Sequence, residues 1–160
     1  MAQSRGVTEV QGLLAECDVL IDASPETVFE FFVDAEKMLR WMGVDGELDA
    51  RPGGVFSVEI TPAWLAVGEF TEVDRPRLVA FTWGWEGGPV APGSSLVRVT
   101  LEPDGNGTVV RLRHSGLPNE EMLESHKGGW EHFLARLQIA ATGGDPGPDP
   151  WAHPSVESSS

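Results

Sequence analysis

Residues 113–141 read RHSGLPNEEMLESHKGGWEHFLARLQIAA, and the fold turns on whether they form a catalytic cassette or a helix laid across a sheet. The stretch holds three of the four histidines, a cluster of acids, and a tryptophan behind two glycines. His126 and His132 stand six apart, about 240° around a helix of 3.6 residues per turn, so they cannot hold one ion from one face. Trp130, Phe133, Leu134, Leu137 and Ala141, by contrast, recur at helical spacing. Asn119 can cap the first turn, and Glu120 and Glu121 sit where the helix dipole favours negative charge. The segment 119–141 is therefore expected to be a helix of roughly 33 Å, at 1.5 Å of rise per residue, with one apolar stripe to bury.

The preceding residues supply the surface for that stripe. Leu13, Ala15, Cys17, Val19 and Ile21 alternate with polar neighbours, a period of two that marks a strand with one wet face. A short helix follows in ASPETVFEFFVD, capped by Ser24 with Pro25 at its first position and Val28, Phe31 and Phe32 as its stripe. Asp34 then caps a second short helix over AEKMLRWM. Beyond it, three pairs of strands are joined at RPGG, at DRP and around Asp104–Gly107. Counting the first, seven strands are expected. Phe56, Val58 and Ile60 share a face, as do Val79, Phe81, Trp83 and Trp85; so do Val97, Val99 and Leu101, and Val110, Leu112 and His114.

A chain of 160 residues suits one domain. We divide it into a flexible N-terminus over 1–12, the folded domain over 13–141, and a disordered tail over 142–160, where GGDPGPDPWAHPSVESSS has too little to bury. The net charge of −14 repels phosphate backbones and anionic lipid head groups, which argues against nucleic acid and membrane partners. No apolar run has the length of a signal or a membrane span, and we expect a cytoplasmic protein. Cys17 stands alone, so no internal disulfide forms, and its place in the alternation suggests a buried thiol.

Motifs for chemistry are sparse. There is no HExxH and no paired CxxC, HSGLP is not a nucleophile elbow, and the glycine pairs at 53–54 and 87–88 fall in turns without a following helix. Neither a metal nor a cofactor is expected. The acids Glu120, Glu121 and Glu124 read as a solvated face and dipole partners. His114 is the best single polar candidate, because alternation with Val110 and Leu112 turns it toward the apolar side.

Aromatic content is the more informative feature: six tryptophans, seven phenylalanines and no tyrosine. Such rings, converging between one sheet and one helix, either leave a small-molecule cavity or interlock as a solid core, and the sequence leaves both open. Gly128 and Gly129 add a second question. Each costs a helix about 1 kcal/mol relative to alanine, to be offset by close approach of the backbone to the sheet or by room for a ligand.

The element order and the stretches ASPETVFEFFVDAEKMLRWMG, RPGGVFSVEI, GEFTEVDRPRLVAFTWGWE, TLEPDGNGTVVRLRHSGLP and HKGGWEHFLARL resemble the START-like helix-grip superfamily. Within it the chain is similar to the branch named after the activator of heat-shock-protein-90 ATPase. The resemblance implies an α+β fold: a seven-stranded antiparallel sheet curled round a long C-terminal helix, with two short helices after strand 1 and a cavity between sheet and helix. It implies that Trp41 lies near that cavity, with strand residues Phe56, Val58, Phe70, Phe81, Trp83, Val99 and Leu112. His114 and the helix residues Trp130 and Phe133 complete the expected wall.

Three functions are compatible with it. The protein binds a small apolar molecule unchanged; or it is a cyclase- or hydrolase-type enzyme acting on a polyketide-like or aromatic substrate, with His114 as the acid or base; or it is a co-chaperone-like interaction module. A homodimer is compatible with each of these.

Overall fold

The computed structural model describes residues 13–150; the N-terminal stretch 1–12, expected to be flexible, and tail residues 151–160 lie outside the described residues. The element order is β1 (Leu13–Ile21), α1 (Pro25–Val33), α2 (Ala35–Met38), β2 (Asp45–Leu48), β3 (Val55–Thr61), β4 (Trp64–Asp74), β5 (Leu78–Trp85), β6 (Ser95–Asp104), β7 (Gly107–Leu117) and α3 (Glu120–Ala141). The strands make one antiparallel seven-stranded sheet in the order β1-β7-β6-β5-β4-β3-β2. Successive hairpins build it from β2 to β7, and the first strand returns to pair with the last. The α+β helix-grip arrangement expected from the sequence is the one observed.

Local chemistry sets the helix boundaries. Ser24 accepts a bond from the Thr27 amide and Pro25 opens α1, Asp34 accepts from the amides of Glu36 and Lys37, and Asn119 accepts from that of Met122. The buried side of α1 is wider than its expected stripe, since Phe29 and Val33 are buried as well. The second helix is shorter than AEKMLRWM suggested. After Met38 the chain tightens into turn bonds, Arg40 N–H to Lys37 O and Trp41 N–H to Met38 O, which turn Trp41 inward. Gly43 then takes φ +93°, a conformation that favours glycine, with Val58 Cγ1 only 2.5 Å from where a Cβ would stand.

Core residues come from α1, α2, the inner face of the sheet and the α3 stripe of Trp130, Phe133, Leu134 and Leu137. Ion pairs on the outer face of the sheet join Arg113 and Arg111 of β7 to Glu16 and Asp18 of β1 and to Glu102 of β6. A hydrogen bond from Arg113, with the nearby Arg111 charge, holds the Asp18 carboxyl below its usual range.

Part of the expected disordered tail is placed against the domain. Arg136 Nη2 donates to Gly147 O at 2.8 Å, and His132 Nε2 lies 2.9 Å from Asp149 Oδ1. As far as Asp149 the tail is thus tied to α3 by polar contacts, which the glycine, proline and serine composition does not reveal. No described helix is long and apolar enough to cross a membrane.

Candidate functional site: a tryptophan-walled cavity

The aromatic rings do both things the sequence left open. Phe56 stacks on Phe81 with centroids 4.1 Å apart, and Phe70 meets each of them edge-on at 5.8 Å, so the middle of the sheet is solidly filled. A cavity of about 360 Å³ opens at one end. Its wall is built from the end of β3 (Ile60, Thr61), the start of β4 (Trp64), the end of β5 (Trp83, Trp85), Pro89, and the first half of α3 from Met122 to Phe133.

Of the residues expected to line a cavity, Trp83, Trp130 and Phe133 do. The others do not. Trp41 is wholly buried in the core and donates its indole N–H to Phe31 O at 3.0 Å. Phe56, Val58, Phe70, Phe81, Val99 and Leu112 are buried in the same packed interior. Alternation assigns the face of all of these but Phe70 correctly, but a face runs the length of a strand and the cavity occupies only its end.

His114 is also off the cavity, with 0 % of its surface exposed. The strand register explains its partners. Trp83 stands opposite Ser95, and Val97, two residues along the same face, stands opposite His114, which brings the serine diagonally beside the imidazole. Trp130 reaches it from α3 and donates its indole N–H to His114 Nδ1 at 3.0 Å. Because Nδ1 accepts, the ring proton sits on Nε2 and is donated to Ser95 Oγ at 2.8 Å, and the hydroxyl donates onward to Trp83 O at 2.6 Å. Burial, with the neighbouring His126, pushes the His114 pKa well below its usual 6.5. Both ring nitrogens are committed, so His114 has no free lone pair with which to act as a base in this arrangement.

His126, which the spacing excludes only from sharing an ion with His132, faces the cavity. Its Nδ1–H donates to Met122 O at 2.8 Å and its Nε2 accepts the Trp85 indole N–H at 2.9 Å, which fixes the opposite tautomer from that of His114. Burial lowers its pKa too. The two imidazoles meet edge-on with centroids 5.2 Å apart, yet all four ring nitrogens are occupied and none is left for an ion. No cluster of three or more potential metal-ligating side chains occurs among the described residues. Cys17 is buried, its thiol donating weakly to Lys127 O at 3.7 Å, and burial pushes its pKa up.

Sequence reasoning missed most of the mouth. Trp64, at the β3–β4 hairpin and 45 % exposed, leans edge-on against Trp85 with centroids 5.5 Å apart. Met122, His126, Trp130 and Phe133 are spaced by four, four and three, so extending the α3 stripe backward by two turns would have found the first two. The glycine pair is also resolved in part. A Cβ at Gly128 or Gly129 would meet nothing within 4 Å, which rules out close backbone approach as the reason for either. Gly129 lines the cavity.

Comparison with known proteins supplies the lineage of this arrangement. The family described as Activator of Hsp90 ATPase homolog 1-like protein matches residues 22–142. The chain belongs to that family. An AHSA1-like protein of Rhizobium etli, known from a solution NMR structure, is 44 % identical with a TM-score of 0.71, over 88 % of this chain and 89 % of that one. Among more distant AHSA1-like folds, an HSP90 activator of Plasmodium falciparum is 28 % identical with a TM-score of 0.68, over 80 % of this chain and 95 % of its own. CalU16 of Micromonospora echinospora is 25 % identical with a TM-score of 0.66, over 84 % and 87 %. No curated protein matches the chain.

Proposed function

We propose that this AHSA1-like protein binds a small apolar molecule in the cavity between the β3–β5 end of the sheet and the first half of α3. One observation carries the reading: about 360 Å³ of space is walled by Trp64, Trp83, Trp85, Trp130 and Phe133 and is left unfilled by the described residues. The size falls in the range of small-molecule sites, and indole walls offer large contact area at little loss of side-chain freedom. The hydrogen bonds around His114 and His126 fix two of the four tryptophan side chains, Trp85 and Trp130, before any ligand arrives. Preorganised walls spare the ligand the cost of ordering them.

The catalytic alternative loses its named base for the reason given above, and no observation favours a chaperone contact over ligand binding. The test is titration with a panel of uncharged apolar compounds, read by tryptophan emission and melting temperature. Saturable quenching together with a rise in melting temperature is expected, because a ligand that binds only the folded state stabilises it. Unchanged emission and melting temperature across the panel would end the proposal.

A further inference from the structure

The cavity wall carries no formal charge. Among the described residues no acidic or basic side chain lines it; the polar groups there are the Thr61 and Ser125 hydroxyls, the His126 imidazole and the indoles. His126 is neutral when Nδ1–H faces Met122 O and Nε2 accepts from Trp85, since a second ring proton would collide with the Trp85 N–H. Lys127 is next in sequence but lies outside the wall and pairs with Glu131 at 3.4 Å. An anionic head group entering here would give up water and meet no counter-charge, inside a protein whose net charge of −14 already repels it.

Shape points the same way. Trp64 and Trp85 meet at 77°, and Trp83 and Trp85 at 83°, so adjacent walls stand nearly at right angles and present flat and edge surfaces to a ring. On the helix side the wall includes Gly129, where no side chain intrudes. Gly128, one residue earlier, is exposed and outside the wall, so the two glycines separate helix effects from cavity effects.

We propose that the cavity selects uncharged, ring-bearing ligands over anionic amphiphiles, and that the missing side chain at Gly129 sets its width. This rests on the ligand-binding reading above. The experiment uses two fluorescent probes that share one ring system, N-phenyl-1-naphthylamine, which is uncharged, and 8-anilinonaphthalene-1-sulfonate, which carries a sulfonate. The uncharged probe is expected to bind roughly tenfold tighter or more, the penalty of an unpaired buried charge. Equal or tighter binding of the sulfonate would overturn the selectivity while leaving the cavity a binding site. Failure of both probes to bind would take down the binding reading itself.

For the width, Gly129→Leu is expected to weaken the uncharged probe roughly tenfold or more, because a leucine side chain occupies space the ligand needs. Gly128→Leu gains the same helix propensity outside the wall and is expected to bind as the parent does. Gly129→Ala, whose added methyl meets nothing within 4 Å, is expected to shift affinity in the same direction by less and serves if the leucine is not tolerated. Parental affinity in both Gly129 variants would refute the assignment.

Discussion

Lowering the pH from 7.5 to 5.5 tests the buried histidine pair directly. Burial holds both His114 and His126 below the usual imidazole value of 6.5, most strongly for His114. In the unfolded chain both take up protons near that value; in the native state His114 stays neutral well below it. The unfolded state therefore binds more protons in the window below 6.5, and stability rises with pH there. It is complete above about pH 7 and is lost progressively as pH falls toward the folded-state pKa values. For an imidazole that remains neutral in the native state, the loss at pH 5.5 is RT ln(1 + 10), about 1.4 kcal/mol. With His126 contributing up to the same amount, the total is about 1.4–2.8 kcal/mol. For a domain of this size that is about 3–11 °C in melting temperature. The groups nearest the pair are the Trp85 and Trp130 indoles, Ser95 and the Met122 carbonyl, and no carboxylate is hydrogen-bonded to either ring among the described residues. Thermal melts at pH 7.5, 6.5 and 5.5, followed by far-ultraviolet circular dichroism, measure the slope. In His114→Gln, compared as a slope and not as an absolute stability, about half or more of it should vanish. A melting temperature that is flat over this range, or a slope identical in parent and variant, would refute the network as described.

Replacing Gly128 or Gly129 by alanine is expected to raise stability by about 1 kcal/mol each in urea titrations, since the added methyl group meets open space and the helix gains propensity. Trp41→Phe removes the indole bond to Phe31 O and leaves a void in a fully buried site; a loss of about 2–3 kcal/mol by chemical denaturation is expected, with the cavity unaffected. Gly68→Ala should be the most damaging of these changes, because its Cβ would stand 1.9 Å from the backbone oxygen of Thr82 and force β4 from β5. A loss of more than about 3 kcal/mol, or recovery only in the insoluble fraction, is the expected result.

Most of the fold was legible because its determinants are local. Ser24, Pro25, Asp34 and Asn119 each act through bonds within a few residues, and their helices begin where those residues say. Turns such as RPGG and the Asp104–Gly107 hairpin are set by backbone conformations that glycine alone adopts at no steric cost, as Gly53 and Gly105 do at φ +85° and +61°. Period-two alternation then sorted β1, β3, β5, β6 and β7 into an inner and an outer face. The boundary at α2 falls earlier than its apolar pattern indicates, because turn bonds replace the helix after Met38 while Trp41 packs on Phe32 and donates to Phe31 O.

The site was legible only in its materials, because periodicity reports which way a side chain points and says nothing of how far along the element it lies. Phe56, Val58 and Ile60 share one face of β3, yet the first two are core and only Ile60 reaches the cavity. What separates them is the register that brings the end of β3, the start of β4 and the end of β5 together, and the point along the sheet where α3 begins, both products of pairing between distant residues. The histidines show the same division. Turning His114 inward needed only alternation, but the partners that commit both its ring nitrogens are Ser95, placed by the β5–β6–β7 register, and Trp130, placed by α3. A buried imidazole with one partner missing would be a candidate base; with both present it is a strut that holds Trp130 in the wall. Its role was therefore decided by residues 16 and 19 positions away in sequence.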